Sequence, residues 1–472
     1  VRPFLLRAVA PVAAAVAVTA TACGGTAEPP RQLAMVDSSR APAPLEAEGL
    51  EMVAAQDGTD LVLYTAGGEV RFFTGVNVGS SVPGHHPAEL AVKREDWRRW
   101  LPMIADLGVH AIRIYTVQRP EFYEELVAYN TAHPARPLYL VHGVWIPEDE
   151  ALAAGDIWDP TVVDRLDQDI DDAVAVVHGD AVLPERAGYA VGTYTADVSP
   201  WLASWAFGIE MDPELVMASD RANRGVTYDG TYVTASSAAS PTEVWMARML
   251  DRLATREAER GRSMPLTFSN WPSTDPLEHP MEPIEKEDLV GIDMNHLGAT
   301  DAWPGGLYAS YHAYPYYPDF LRYEPGIADY EHNGRTDSYA GYLAALRDHH
   351  YAAGLPTAIL EFGVPSSLGS AHHGSLGRDQ GGHDERGAME INAGMLRTQR
   401  DLGLAGGFVF SWSDEWFKRT WNTMDLTLPP ERRPLWFNPL TNESQFGLLA
   451  VHPGPDGPAV VVDGNDAEWT VS

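Results

Sequence analysis

Ala358-Ile359-Leu360-Glu361-Phe362-Gly363 is an apolar run that ends on its first charge, and Trp205-Ala206-Phe207-Gly208-Ile209-Glu210 repeats the arrangement earlier in the chain. A short apolar run bounded by glycine reads as a strand buried on both faces, as in a parallel sheet. Working outward, the expected strands are 72–77, 111–115, 138–142, 204–209, 266–269, 309–312, 358–362 and 407–412. Longer amphipathic stretches lie between them, among them 96–106, 121–129, 161–177, 242–260, 339–350 and 385–402. Strand and helix alternating eight times specify the α/β class and a (β/α)8 TIM barrel with long top-side loops. A ninth run, 289–294, competes with 309–312 for the sixth place. Ahead of the first strand, Leu61-Val62-Leu63-Tyr64 and Val70-Arg71-Phe72-Phe73 flank Ala66-Gly67-Gly68 as an N-terminal β-hairpin.

The barrel is expected over residues 59–450. Residues 24–58 are rich in Ala, Pro, Ser and Glu without an apolar period and read as a disordered tether. Residues 1–23 join Arg2 and Arg7 to an apolar run from Ala8 to Val18 and to Ala20-Thr21-Ala22-Cys23-Gly24. That is a charged n-region, an apolar h-region and a small-residue cleavage site. It resembles a bacterial lipoprotein signal, with Ala20 where the usual pattern has Leu. The resemblance implies a lipidated Cys23 and an extracytoplasmic protein held at the membrane by its lipid anchor alone. Residues 451–472 read as a linker and, at Ala459-Val460-Val461-Val462, the first strand of a truncated β-domain.

With 472 residues, 45% of them hydrophobic, the chain can bury a large core. Its net charge of −33 opposes nucleic acid, whose phosphates need a Lys/Arg-rich face, and favours a neutral or cationic partner. Cys23 is the single cysteine, which excludes an internal disulfide and a multi-thiolate zinc site.

TIM barrels carry their chemistry at the C-terminal ends of the strands, where Glu210 and Glu361 are expected. A carboxyl group in a partly dry, aromatic barrel mouth can serve as an acid, and a second can attack carbon, so the pair suits glycoside hydrolysis. A retaining pair stands about 5–5.5 Å apart.

The ordered motifs Gly75-Val76-Asn77, Ile112-Arg113-Ile114-Tyr115, Gly208-Ile209-Glu210, Tyr311-His312-Ala313-Tyr314-Pro315, Leu360-Glu361-Phe362-Gly363 and Phe410-Ser411-Trp412 resemble those of the clan A glycoside hydrolases, which include families 2 and 5. The resemblance implies a retaining hydrolase with Glu210 as acid/base and Glu361 as nucleophile. By the same match, Arg113 and Tyr314 support the nucleophile and Trp412 floors the sugar subsite. The clan usually has Asn immediately before the acid/base, and this chain has Ile209; Asn270 and Asn295 are candidate replacements.

Asn77, Tyr115, His142 and His312 complete the expected strand-end binding set. Sugar rings present apolar C–H faces that stack on aromatic planes. Trp145, Trp271, Trp303, Tyr316, Tyr317, Trp416 and Trp421 are therefore further candidates, with Asn270, Trp271, Glu415 and Trp416 foremost because polar groups adjoin the rings. His372, His373 and His383, with Asp379 and Asp384, are irregularly spaced in a Gly/Ser-rich loop and read as a substrate cover. No metal or cofactor is expected. Three activities fit these residues: hydrolysis of an extracellular β-linked oligo- or polysaccharide, glycan-remodelling transglycosylation, and carbohydrate binding without turnover.

Overall fold

The computed structural model describes residues 39–432 and 436–450. Cys23 and residues 451–472, with the expectations attached to them, lie outside the described residues.

Eight parallel strands close into a barrel: β1 (Phe73–Asn77), β2 (Ala111–Ile114), β3 (Tyr139–Val144), β4 (Leu202–Phe207), β5 (Leu266–Asn270), β6 (Ala309–His312), β7 (Thr357–Phe362) and β8 (Gly406–Val409). Each pairs with its sequence neighbours, and β8 pairs with β1 to complete the ring. These are the eight expected strands. The largest boundary difference is at β8, which stops at Val409 rather than at residue 412. The ninth run forms no barrel strand; a 3-10 turn at Met294–His296 leads into Leu297–Ala299, which pairs with Val233–Ala235 outside the barrel.

Helices follow most strands: α1 (Arg94–Asp106), α2 (Pro120–Ala132), α3 (Pro160–Val177), α4 (Pro213–Ala222), α5 (Pro241–Ala258), α6 (Ser338–Tyr351) and α7 (Glu385–Asp401). Asp159-Pro160, Asp212-Pro213 and Ser240-Pro241 start three of them alike. The polar side chain accepts from the first free N–H groups, and proline takes the position whose N–H has no helical partner. Among the described residues, no α-helix lies between β5 and β6, only 3-10 turns and the short strand Leu297–Ala299. This stretch is pinned to α6 instead, through Asp293 to His349 at 2.8 Å and Asn295 to His350 at 2.7 Å.

Alternation along the strands decides which side chains enter the barrel. Phe73, Ala111, Tyr139, Val141, Ala358 and Phe408 meet at the strand starts with Val53, Ala54, Leu61 and Leu63 in one buried cluster. The last four belong to the antiparallel sheet Ala54–Asp57, Asp60–Thr65, Gly68–Val70 and the residue before it, which closes the bottom of the barrel. The hairpin is thus present and gains a third strand. The tether expectation is corrected from residue 39 onward, residues 24–38 lying outside the described residues: Leu45–Ala47 and Leu50–Met52 are paired strands, and Leu50, Met52, Val53 and Ala54 are buried. Their apolar positions are too few and too interrupted to show a period, and their burial comes from docking rather than from local pattern.

Candidate active site

Glu361 closes the apolar run of β7 and is 6% exposed. Four neighbours surround its carboxylate. Arg113 Nη1 donates to Oε1 at 3.2 Å, Tyr115 donates to Oε1 at 2.6 Å, and Tyr314 donates to Oε2 at 2.9 Å, while His312 Nε2 stands 3.5 Å from Oε1. Burial alone would raise this carboxyl, but His312, Arg113 and the two tyrosine hydroxyls outweigh it and hold the group below the ordinary glutamate range. The two tyrosines shift upward, mainly through burial and then through the Glu361 charge, so they remain donors.

Glu210 lies just beyond β4 and is more open. His312 Nδ1 is 2.7 Å from its Oε1, and the same imidazole therefore stands between the two glutamates, bonded to Glu210 and near Glu361. One carboxylate oxygen of Glu210 lies within 4.8 Å of one of Glu361. The pairing of β6 with β7 shifts register between Tyr311 and His312, and that of β7 with β8 between Ile359 and Phe362. Such irregularities re-aim side chains at a barrel rim.

The pair opens into a cleft of about 1330 Å³, above the roughly 300–1,000 Å³ of an ordinary small-molecule pocket. Tyr115, Trp145, Glu210, Trp271, His312, Tyr314, Tyr316, Tyr317, Glu361, His372, Glu415 and Trp421 line it. Ten carboxylate side chains line it against two cations, Arg186 and Lys418, which is the balance the overall charge anticipates. Ile209 lines it too.

Six other expected residues sit elsewhere. Asn77 is fully buried; its amide donates to the carbonyl of Leu360 and its Oδ1 accepts from Arg113, so it positions the arginine. His142 falls on the outward parity of β3, between Tyr123 and Trp205, where burial pushes it down to about 4. Asn270 spends its amide on Thr274, Ile292 and Trp271, folding the loop after β5, and Asn295 is taken by α6. Neither replaces the amide missing at Ile209. Trp412 packs outward on Trp100, and Trp416 is buried against Trp436. The aromatic that follows β8 into the cleft is Phe410, beside Tyr314. Because β8 ends at Val409, strand parity no longer carries to Trp412.

Trp303 is likewise a core residue, bonded to the Met264 carbonyl. In the histidine loop, His372 faces the cleft over Tyr316, His373 pairs with Asp379, and His383 meets the Asp379 carbonyl. Residues that sequence reasoning missed are Phe410, Gln380, Lys418 and Glu443. Phe410 stood in a quoted motif; the other three carry no local signal.

Asp414, also in the cleft, accepts from the Gly447 N–H at 2.9 Å, yet burial pushes it up to about 7. An acid whose folded value lies above its unfolded value, about 3.9, contributes stability below that value and loses it as pH rises through the folded one. Asp414→Asn should therefore gain melting temperature over wild type as pH rises from about 4 to about 7. Parallel melting curves for the two proteins across that range would contradict this.

Neither a family model nor a curated protein sequence matches the chain. Solved structures similar to it include β-glucuronidase 2 of Bacteroides uniformis, at 13% identity over 77% of this chain and 33% of that one, with a TM-score of 0.43. The endo-laminarinase of Formosa Hel1_33_131 is 15% identical over 80% and 82%, with a TM-score of 0.44. The exo-β-1,4-mannosidase Op5Man5 of Opitutaceae bacterium strain TAV5 is 15% identical over 78% and 55%, with a TM-score of 0.42. The chain spans 33% of the Bacteroides uniformis enzyme and 49% of a Faecalibacterium prausnitzii β-glucuronidase.

Proposed function

We propose that the protein is a retaining glycoside hydrolase acting on a β-linked oligo- or polysaccharide. One observation carries the reading: a carboxylate kept ionised by an arginine, two tyrosines and a histidine faces a second carboxyl group within 4.8 Å at the barrel mouth. That spacing is on the short side of the 5–5.5 Å of retaining pairs and leaves no room for the water that separates inverting pairs by about 6.5–9.5 Å. Glu361 attacks the anomeric carbon while Glu210 gives its proton to the departing glycosidic oxygen. The sugar is then an ester of Glu361. Glu210, now ionised, takes a proton from water, whose oxygen attacks the same carbon and releases Glu361, so that two inversions restore the original configuration. His312 holds Glu210 at the face where the leaving oxygen sits. Turnover of a panel of aryl β-glycosides and polysaccharides, with the anomer of the first product read by proton NMR, tests this. An inverted first product, or no turnover of any panel member, would overturn it.

The reading extends to location. The Arg2-to-Cys23 segment supports export followed by lipidation of the cysteine thiol. Cys23→Ser should move the protein from the membrane to the soluble fraction with unchanged specific activity. Persistence at the membrane would show that something other than this thiol anchors it.

A further inference from the structure

Gln380 is 6% exposed and lines the cleft beside the Tyr316 hydroxyl, yet its Oε1 accepts no hydrogen bond and its Nε2 reaches Glu443 Oε1 only at 3.4 Å. Beside it, Lys418 Nζ stands 3.2 Å from Glu415 Oε2 and 3.5 Å from Glu443 Oε2. Lys418 is thus the ion-pair partner of both carboxylates. A buried amide oxygen left without a donor is costly in a finished protein core and is what an absent ligand satisfies.

The wall that carries them is closely built. A Cβ at Gly369 would run into the Leu440 carbonyl, one at Gly374 into that of Arg378, and one at Gly381 into that of Gly369. The loops after β7 and β8 therefore touch backbone to backbone. Arg378 ties the first loop to Asp337, at the start of α6, through two bonds of 2.7 and 2.8 Å. Gln380 N donates to His372 O, and Glu415 N donates to Ser444 O. The site is also next to the chemistry: burial raises Glu415, Lys418 opposes this, and the Glu361 charge adds to the rise.

We infer that Gln380, Glu415, Lys418 and Glu443 form a recognition subsite that selects a neutral, polyhydroxylated sugar ring over a uronic acid. This rests on the glycosidase reading above. A hydroxyl donates and accepts at once, so a ring bearing several can fill Gln380 Oε1 and Glu415 Oε2 while accepting from Lys418. A uronate carboxylate only accepts. It would meet two carboxylates and an amide oxygen around a lysine already neutralised, a group with one net negative charge, and would be rejected by repulsion and by unpaired acceptors.

The test uses 4-nitrophenyl β-D-glucoside, galactoside, mannoside and glucuronide on the full chain. The best neutral glycoside should exceed the glucuronide in kcat/KM by roughly tenfold or more, and Gln380→Leu should lower kcat/KM on that neutral substrate by roughly tenfold. Glu443→Gln, which removes the net charge and serves if Gln380→Leu does not fold, should narrow the neutral-to-glucuronide ratio by roughly tenfold. Preference for the glucuronide, or ratios unmoved by both changes, would overturn the assignment. The same four compounds are titrated against Glu361→Gln by tryptophan fluorescence. If wild type turns over none of them, hydrolysis fails but tighter binding of a neutral glycoside, weakened by Gln380→Leu, still supports the subsite. Equal or no binding of the neutral compounds refutes it.

Discussion

Replacing Glu361 by Gln should lower kcat/KM by roughly 10⁴-fold or more on every substrate the wild type hydrolyses, because the amide cannot form the glycosyl ester. The protein should also become less stable. Arg113 is 1% exposed and keeps Asn77 and Ser269 after the change but loses its only charged partner among the described residues. An unpaired buried charge costs about 3–5 kcal/mol, less here to the extent that the glutamine oxygen still accepts. The pH dependence has a definite sign. Because Glu361 titrates below the ordinary range, its contribution is present above the unfolded value and is lost as pH falls through the folded one. Wild type should therefore lose melting temperature more steeply than Glu361→Gln between about pH 5 and 3. Retained activity would remove Glu361 as nucleophile, whatever the stability result.

Glu210→Ala should behave differently from Glu361→Gln, and the difference identifies the acid. Proton donation contributes roughly 10²–10⁴-fold, and only where the leaving oxygen needs a proton. Natural disaccharides should lose that much, whereas a 2,4-dinitrophenyl glycoside should still form the ester at close to the wild-type rate. Its breakdown should then be slow, since no base activates water, and added azide should restore turnover and yield the retained glycosyl azide. Loss of equal size for both leaving groups would mean that Glu210 acts by holding His312, 2.7 Å away, rather than by giving a proton.

The barrel was legible because each strand is a short apolar run and each helix an amphipathic one, and these periods follow from backbone geometry alone. Glu210 and Glu361 were legible for a related reason: the first charge after a run buried on both faces must lie where the strand leaves the core. Where parity was not counted, the reading erred. His142 shares the outward face of β3 with Leu140, while Val141 enters the barrel. Where the strand ended early, parity itself gave out, and Phe410 rather than Trp412 entered the cleft. Asn270 and Asn295 looked available because sequence shows an amide but not the carbonyls that claim it.

By itself the sequence determined the eight-stranded closed sheet, the carboxylate pair at its mouth and the acidic character of the cleft, all of which depend on local period or on composition. Tertiary structure alone decided the oxygen separation, the histidine standing between the pair, and the meeting of Gln380, Glu415, Lys418 and Glu443 on one wall. Those groups come from two loops that meet backbone to backbone where Gly369 lies against Leu440. No propensity or spacing along the chain encodes which loop backbones come to rest against each other, because that is settled only when the barrel has closed and the loops compete for the space above it.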